Sequence, residues 1–270
     1  MGGSYAKGLK KAGYYVSAIS DNADSINYAL KNNVIDKGAD FVDEDLIKEA
    51  DIIIFALYPQ VFVNWIKNYG SLIKEGTIIT DVTGIKGAVI YKINSMLKNN
   101  VEFIAAHPMA GREVYGVENS DENIFINANY IVVPTADNTQ NAINICKDIG
   151  EILNFSKISE LTPEKHDQMI AFLSQLTHCI AICLMTCNQA ENLEDYTGDS
   201  FRDLTRIANI NENMWSELFL LNKEQLLSMM DLFISDFDKL KNYIKTDNSN
   251  GIKDMMRLST KRRKLFDKNI

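Results

Sequence analysis

The chain has 270 residues, of which 46% are hydrophobic and 24% are charged, a composition typical of a well-packed globular protein of about two domains. Because 36 Asp and Glu outnumber 28 Lys and Arg, the net charge of −8 argues against a nucleic-acid partner. No apolar run approaches the roughly 18 residues of a membrane-spanning helix, and the first residues do not read as a signal peptide. We therefore expect a cytoplasmic protein without a membrane partner.

The first half of the chain alternates short apolar runs with amphipathic stretches. The apolar runs predict strands at residues 15–19, 51–57, 77–81, 101–105 and 130–133, and a short one around Phe155. Helical periodicity is found at residues 24–32, 62–67, 88–97 and 141–149. Strands separated by helices are typical of βαβ units, so we predict an α/β fold with a mostly parallel sheet.

The chain changes character near Thr162, after which the strand patterns stop. Thr162 is suited to cap a helix with Pro163 at its first position. Helical periodicity continues at residues 168–185, 215–230, 232–244 and 252–266. We predict an α/β domain at residues 1–160 and an all-helical domain at residues 161–270. The stretch 168–185 is apolar on nearly every face, which favours either a central buried helix or a homodimer interface.

In an open α/β sheet, ligands bind beyond the carboxyl ends of the strands. The segments that directly follow predicted strands are Ser20-Asp21, Tyr58-Pro59, Val82 to Lys86, and His107 to Glu113. The opening residues run into a short helix that Gly13 ends. These segments are the candidates for a ligand-binding site.

The segment His107-Pro-Met-Ala-Gly-Arg-Glu-Val-Tyr-Gly116 resembles the signature of the prephenate/arogenate dehydrogenases, the enzymes of tyrosine biosynthesis. Further blocks occur in the order of that family and at similar spacing: Asp81-Val-Thr-Gly-Ile-Lys86, Pro163-Glu-Lys-His-Asp167, Leu173-Ser-Gln-Leu-Thr-His178, Phe201-Arg-Asp-Leu-Thr-Arg-Ile-Ala208 and Asn213-Met-Trp215. Ordered blocks across both halves make the resemblance specific. It implies a Rossmann-type domain followed by a helical dimerisation domain, the organisation that the periodicity predicts separately.

One departure from the family concerns the start of the dinucleotide-binding motif. Members usually begin with a strand and Gly-x-Gly-x-x-Gly-Gly-Ser, of which Gly2 matches the third glycine and Gly3-Ser4 the following pair. The strand and the two earlier glycines are missing, so we expect the middle of the sheet to lack a partner. We expect the physiological chain to begin about 10 residues earlier, from ordinary strand lengths, and the added residues to improve folding and cofactor binding.

The resemblance implies a reaction at the C4 hydroxyl of prephenate. Hydride passes to NAD(P), carbon dioxide is lost, and 4-hydroxyphenylpyruvate forms. His107 is implied to accept the hydroxyl proton, which a neutral imidazole can do near neutral pH. Many members carry a serine where Gly84 stands, and Thr83 is a candidate to supply that hydroxyl instead. Gln175 likewise stands where a histidine often occurs.

The resemblance also implies substrate-binding residues. Arg206 matches the arginine that binds a substrate carboxylate, a task suited to the guanidinium fork. His178 matches a histidine on the substrate side of the long helix, and a buried structural role fits its position about as well. Arg112 faces either the second carboxylate or solvent. For His166 we favour a structural role.

Cofactor contacts are expected at Gly2, Gly3, Ser20, Asp21, Leu57 and Pro59. Asp21 favours the ribose hydroxyls of NAD, and NADP stays open because Ser20 stands where an acidic residue is usual. Cys179, Cys183 and Cys187 fall on one helix face, where three thiolates rarely converge on a metal. We expect no metal and treat these cysteines as small buried packing residues.

Three alternatives stay open from the sequence. Arogenate, the amino analogue of prephenate, would undergo the same chemistry and give tyrosine. Another two-domain dehydrogenase, such as a 3-hydroxyacid or pyrroline-carboxylate enzyme, would typically use a lysine from the helical half in place of the His107 block. A non-catalytic relative that acts as a dimerisation partner is favoured only by the missing strand.

Overall fold

The computed structural model describes residues 1–98, 100–111 and 114–266. The chain folds as two compact units, Met1–Asn222 and Lys223–Ile270. Among the described residues, the first unit contains every strand and ten α-helices, and the second contains two α-helices. Packing thus groups the first helices of the predicted second domain, 161–270, with the sheet. The domain limit at residue 160 itself stays a prediction.

The strands form a mostly parallel arrangement, as predicted. In chain order they are β1 (Ser17–Ile19), β2 (Lys37–Ala39), β3 (Ile52–Phe55), β4 (Ile78–Asp81), β5 (Glu102–Phe103), β6 (Ala105–Pro108), β7 (Asn129–Val133) and β8 (Lys157–Glu160). The pairs β1–β2, β3–β4, β4–β5 and β7–β8 are parallel, and β6–β7 is antiparallel. Ile104 joins β5 to β6 and its N–H donates to the carbonyl oxygen of Ile79 at 3.0 Å, so the sheet continues from β3 to β8.

The sheet is interrupted between β1 and β3, since no pairing joins these strands among the described residues. The first helix, α1 (Gly2–Lys11), packs against both parts. Its Ala6 packs against the same buried hydrophobic cluster as Ala18 of β1. Its Tyr5 belongs to a second buried cluster, which includes Ile78 of β4. The interruption lies where the sequence predicts that the middle of the sheet lacks a partner.

The remaining helices of the first unit connect the strands and then continue without strands. They are α2 (Ala23–Lys31), α3 (Glu44–Glu49), α4 (Pro59–Tyr69), α5 (Gly87–Asn94), α6 (Gln140–Ile152), α7 (Pro163–Ile170), α8 (Leu176–Thr186), α9 (Asp199–Thr205) and α10 (Glu212–Leu221). Local chemistry sets their ends. Thr162 Oγ1 accepts from the Lys165 N–H at 3.3 Å and Pro163 opens α7, as predicted. Gly13, with φ of 91°, follows α1 in a conformation that glycine adopts readily.

The sheet is covered on both faces because successive strand residues point to opposite sides. Ile79 faces α4 and α5, where Phe62 and Ile93 are fully buried. Ile78 faces the other layer, where Tyr130 of β7 and Cys146 of α6 are fully buried. This two-sided burial explains why the strand β3 reads as a continuous apolar run.

Three elements of the first half, β2, α3 and β6, were missed, and one strand was misplaced. The strand β6 begins at Ala105, where the predicted strand 101–105 ends, and it includes His107, which was expected after a strand. The edge strand β2 is Lys-Gly-Ala, with no branched or aromatic residue to indicate a strand, and α3 has only six residues. The strand predicted around Phe155 lies instead at β8, while Phe155 forms a single bridge to Ile126. For the strands, the pairing partner decides the structure more than the local sequence does.

The helical stretch from Pro163 to Thr186 corrects the expectation that no segment is long and apolar enough to span a membrane. It reaches a mean hydropathy of 1.7 over its best 18-residue window, with 28% of that window buried. The helix is not regular, because residues Ala171–Gln175 between α7 and α8 form a π-helical segment. Its buried His166, Asp167 and Gln175 indicate packing against protein rather than lipid.

The prediction that Cys179, Cys183 and Cys187 are buried is wrong for two of them. Cys183 and Cys187 are exposed, and Cys179 is half-buried. Phe172 and Met185 on the same stretch are also about half exposed, at 48% and 50%. This part of the helix therefore presents an apolar face that the described residues of the chain leave exposed.

The second unit consists of α11 (Lys223–Lys245) and α12 (Ser249–Arg263), followed by a short turn. Leu226 is buried, whereas Phe233 and Phe237 of α11 are exposed. A helix of 23 residues with exposed aromatic side chains has an unused apolar face.

Candidate active site

A charged cluster is buried where β4 ends, formed by Asp81, Thr83 and Lys86, and we call it the Asp81–Lys86 cluster. Lys86 Nζ donates to both carboxylate oxygens of Asp81, at 2.8 and 2.7 Å, and to the carbonyl oxygen of Ala106 at 2.6 Å. Asp81 also accepts the Ala106 N–H at 3.2 Å. These bonds use every proton of the ammonium group and join β4 to β6.

Thr83, the candidate for the missing serine, belongs to this cluster. It is buried, and its hydroxyl bonds to the Asp81 carboxylate and lies 3.0 Å from the carbonyl oxygen of Ile85. Burial lowers the pKa of Lys86, and the charge of Asp81 opposes that shift. The cluster is therefore a closed set of mutually satisfied groups.

A second cluster lies beside the first and contains His107, His166 and Asp167; we call it the histidine line. His107 is half-buried on β6, and its Nδ1 lies 2.9 Å from Nε2 of His166. His166 is fully buried on α7, and its Nδ1 lies 2.8 Å from Oδ1 of Asp167. The line thus runs inwards from a partly open imidazole to a buried carboxylate.

Asp167 also fixes α7 to the first turn of α5. Its Oδ1 accepts the Lys86 N–H at 2.9 Å, and its Oδ2 accepts the Gly87 N–H at 2.8 Å. A carboxylate at a helix N-terminus is favoured both by these unpaired N–H groups and by the helix dipole. One side chain therefore orients His166 and also positions the helix that follows the Asp81–Lys86 cluster.

The hydrogen bonds of the histidine line define its tautomers. Because both oxygens of Asp167 accept backbone N–H groups, the proton of the His166–Asp167 bond lies on His166 Nδ1. Neutral His166 then accepts at Nε2, so His107 donates from Nδ1 and keeps its lone pair on Nε2. Burial lowers the pKa of both histidines, and for His107 the neighbouring His166 and Lys86 lower it further. Neutral His107 is therefore suited to accept a proton at Nε2.

Aromatic side chains of the helical segments lie close to this end of the sheet. The His178 ring stacks on Trp215 of α10, with ring centroids 3.6 Å apart. Trp215 packs against a small cluster of Ile85, Ile170 and Leu218, which Met109 also contacts. Since Met109 follows His107 by two residues, the structure brings the segments of His107 and His178 to one region.

Of the two predicted substrate-binding arginines, the structure describes Arg206 but not Arg112. Arg206 is exposed at the start of the turn Arg206–Ala208, which contacts α8, the helix of His178. Arg112 lies outside the described residues. The predicted carboxylate-binding roles of both stay predictions.

The N-terminus of α1 fits an anionic group such as a pyrophosphate. Gly2 and Gly3 form its first turn, which carries no acidic residue and no side-chain cap, so its N–H groups are suited to bind phosphate oxygens. A Cβ on Gly2 would lie 3.1 Å from Cβ of Ala56, and one on Gly3 would lie 2.2 Å from Oγ of Ser120. Close packing against the side chain of Ser120 thus favours glycine at position 3, besides its predicted role in cofactor binding.

The other predicted cofactor residues all follow strand ends. Ser20, after β1, accepts the Asn22 N–H at 3.2 Å, and Asp21 is exposed. Leu57, after β3, is half-buried, and Pro59 is buried as the first residue of α4. They lie at the edge where an α/β sheet binds nucleotides.

The sequence indicated His107 but missed the two residues behind it. His166 was expected to be structural, and Asp167 was noted only within a motif block. The available signal was the His166-Asp167 pair near the start of a helix, separated by two residues from the capping Thr162-Pro163. The histidine line itself joins residues 59 positions apart, so no local pattern could predict it.

Comparisons with known proteins agree with this architecture. The family model described as "Prephenate dehydrogenase, nucleotide-binding domain" matches residues 5–156. A second model, "Prephenate dehydrogenase, dimerization domain", matches residues 162–258. Together they cover the sheet and most of the helical segments described above.

Individual relatives cover nearly the whole chain. The prephenate dehydrogenase of Bacillus subtilis is 30% identical over 259 residues, 93% of this chain and 70% of that protein. A cyclohexadienyl dehydrogenase of Zymomonas mobilis is 27% identical over 251 residues, 91% of this chain and 83% of that protein.

A solved structure is similar throughout. Prephenate dehydrogenase from Aquifex aeolicus, crystallised with hydroxyphenyl propionate and NAD+, superposes with a TM-score of 0.91 at 27% identity, covering 99% of this chain and 95% of that chain. Both halves of the chain are thus matched by sequence and by structure. The chain belongs to the prephenate dehydrogenase family.

Proposed function

We propose that this protein is an NAD-dependent dehydrogenase that oxidises and decarboxylates prephenate to 4-hydroxyphenylpyruvate in tyrosine biosynthesis. The observation that carries the proposal is the half-buried His107, whose Nδ1 is held by His166 and whose Nε2 keeps its lone pair. The relatives support it, since they include two prephenate dehydrogenases and a cyclohexadienyl dehydrogenase.

The reaction removes a hydride and a proton from the C4 carbinol of the substrate and makes a C4 ketone. The bond from C1 to the ring carboxylate then breaks, its electron pair enters the ring, and the ring becomes aromatic. NAD, when bound, supplies the hydride acceptor. His107 takes the hydroxyl proton at Nε2, a contribution of about 10²–10⁴-fold for a positioned base.

The histidine line stabilises His107 as it becomes positively charged. The Nδ1–H bond to His166 becomes charge-assisted when His107 is protonated, and such bonds are stronger than neutral ones. The carboxylate of Asp167, at the inner end of the line, favours positive charge on the two imidazoles. This arrangement is also prepared before substrate binds, because Asp167 is already held by the N-terminus of α5.

The remaining site residues are assigned to binding and positioning the substrate and the cofactor. We assign Arg206 to a substrate carboxylate, His178 to the substrate side of the pocket, and Arg112 to the second carboxylate. Thr83 supports the site from within the Asp81–Lys86 cluster. For the cofactor, we assign Gly2 and Gly3 to the pyrophosphate, Ser20 and Asp21 to the adenosine ribose, and Leu57 and Pro59 to the wall of the groove.

We further propose that the protein is a cytoplasmic homodimer. Residues 162–258 match the dimerization domain of the family, and this region contains the exposed apolar residues of the long helix and of α11. An interface that covers them would explain why Phe172, Met185, Phe233 and Phe237 are exposed in a single chain.

The proposal is tested by the absorbance of reduced nicotinamide, with prephenate and arogenate each supplied with NAD and NADP. We expect turnover with prephenate and NAD. Turnover with arogenate alone would assign the amino analogue as substrate, and turnover with neither under any pairing would refute the dehydrogenase assignment.

Two variants separate chemistry from binding in the same assay. His107→Asn is expected to lower kcat by about 10²–10⁴-fold with little change in KM, because it removes the base. Arg206→Ala is expected to raise KM much more than it lowers kcat. A fully active His107→Asn variant would remove His107 from the chemistry.

A further inference from the structure

We infer that Gln175 and Asn222 are positioning residues, which set the register of the long helix so that His178 and His166 face the same site. The inference rests on the proposed function for the role of His178. Its evidence is the π-helical segment Ala171–Gln175 and the buried amide pair that holds it.

The π segment changes which residues share a face of the helix. The Leu176 N–H donates to the carbonyl oxygen of Ala171, five residues earlier, which introduces one extra residue into the turn. In a regular helix, residues twelve apart such as His166 and His178 lie about 120° apart around the axis. With one extra residue they are equivalent to residues eleven apart, and the angle falls to about 20°.

The contacts of the two helix halves agree with this rotation. Ile170 of α7 lies in the cluster against which Trp215 packs, and His178 of α8 stacks on the same Trp215. His178 is anchored within the π segment as well, because its Nδ1–H donates to the carbonyl oxygen of Ser174 at 2.9 Å. The segment thus fixes both the helical face and the ring of His178.

Gln175 holds the π segment through two buried hydrogen bonds. Its Nε2 donates to the carbonyl oxygen of Leu218 at 2.8 Å, and its Oε1 accepts from Asn222 Nδ2 at 2.8 Å. Both side chains are almost fully buried, so each bond would be costly to leave unmade.

Asn222 connects the same pair to the histidine line. Its Nδ2 also donates to the carbonyl oxygen of Asp167 at 3.0 Å. One amide group therefore contacts the residue that orients His166 and the residue that ends the π segment. Removing this link is expected to change the register between the two histidines without removing a group that contacts substrate.

The test uses Gln175→Met, which keeps the side-chain volume but has no hydrogen-bonding amide. The matched control is Gln168→Met, since Gln168 lies on the same helical stretch and its side-chain oxygen accepts a hydrogen bond from the nearby Lys165. Gln175→His is the conservative variant, because a neutral imidazole supplies one donor and one acceptor. For prephenate oxidation, Gln175→Met should raise KM about tenfold, the equivalent of one hydrogen bond, with kcat changed less than about threefold.

A second readout does not depend on activity. Protonated His178 stacked on the indole should quench the fluorescence of Trp215. The fluorescence is measured against pH in a Trp65→Phe background, so that Trp215 is the emitting tryptophan. The change that disappears in His178→Asn is the titration of His178. Gln175→Met should lose this titration, whereas Gln175→His and Gln168→Met should keep it. If Gln175→Met does not fold, Asn222→Ala takes its place with the same expectation.

The outcomes are distinct. Loss of the titration and a raised KM in Gln175→Met, with both retained in the controls, supports the inference. A folded Gln175→Met variant that is less stable but keeps the titration and the KM would show a merely structural role and overturn it. If the parent lacks prephenate turnover, the proposed function fails, and the fluorescence result still decides the register.

Discussion

The Asp81–Lys86 cluster and the histidine line are adjacent, buried and polar, yet they differ in how completely their hydrogen bonds are satisfied. Lys86 has no exposed side-chain surface, and its ammonium protons are all bonded within the protein. His107 is half-buried, and only its Nδ1 is bonded to the line. The closed cluster is suited to stability, whereas the line that ends at a partly open base is suited to chemistry.

Removing Lys86 should give the largest effect on folding. In Lys86→Met the carboxylate of Asp81 stays buried without its partner, which is expected to lower the free energy of unfolding by about 3–5 kcal/mol. Urea denaturation measures the loss. The paired variant Asp81→Asn with Lys86→Met should recover part of it, because no uncompensated charge remains. A loss below about 1 kcal/mol in the free energy of unfolding would contradict a stabilising role for the Asp81–Lys86 cluster.

Removing His166 should affect turnover more than stability. His166→Leu removes the acceptor of the hydrogen bond from His107 Nδ1. Because this bond is charge-assisted in the transition state, kcat should fall about ten- to a hundredfold. His166→Gln, whose carbonyl oxygen can accept the same proton, should retain much more activity. Equal kcat values for these two variants would count against an orienting role for His166.

The pH dependence of stability should also depend on the histidine line. Both histidines have a folded pKa below 6.5, so the unfolded chain binds more protons once the pH falls through 6.5. Stability should therefore fall with pH below that value, by up to about 1.4 kcal/mol per pH unit for each histidine, until the folded pKa is reached. Unfolding by urea at pH 7.5 and 5.5 checks this. The variant with His107→Asn and His166→Gln should have a smaller difference between the two pH values.

The sequence predicted the elements whose local signals are strong. The long apolar runs of β3 and β4 and the Thr162–Pro163 start of α7 were correctly placed. The strand β2 was missed because a three-residue edge strand of Lys-Gly-Ala has no local signature and depends on pairing with β1. The π segment was missed because its stabilising partner, Asn222, is 47 residues away from Gln175.

The candidate site was predictable to a similar extent. His107 stands in a distinctive block, which indicated it, but it lies within β6 rather than beyond the end of a strand as predicted. His166 and Asp167 act through tertiary contacts to β6 and to the N-terminus of α5. Such long-range contacts cannot be predicted from the local pattern of a single sequence. The hydroxyl of Thr83 bonds to the buried carboxylate of Asp81, and its predicted role in place of the serine stays a prediction.

The proposed chemistry of the site requires that neutral His107 has its proton on Nδ1 and its lone pair on Nε2. Nitrogen-15 NMR of the imidazole rings at pH 7.5 tests it directly, because the chain has only three histidines and single variants assign each of them. We predict a protonated Nδ1 and an unprotonated Nε2 for both His107 and His166. A His107 ring protonated on Nε2 alone, or on both nitrogens, would contradict it.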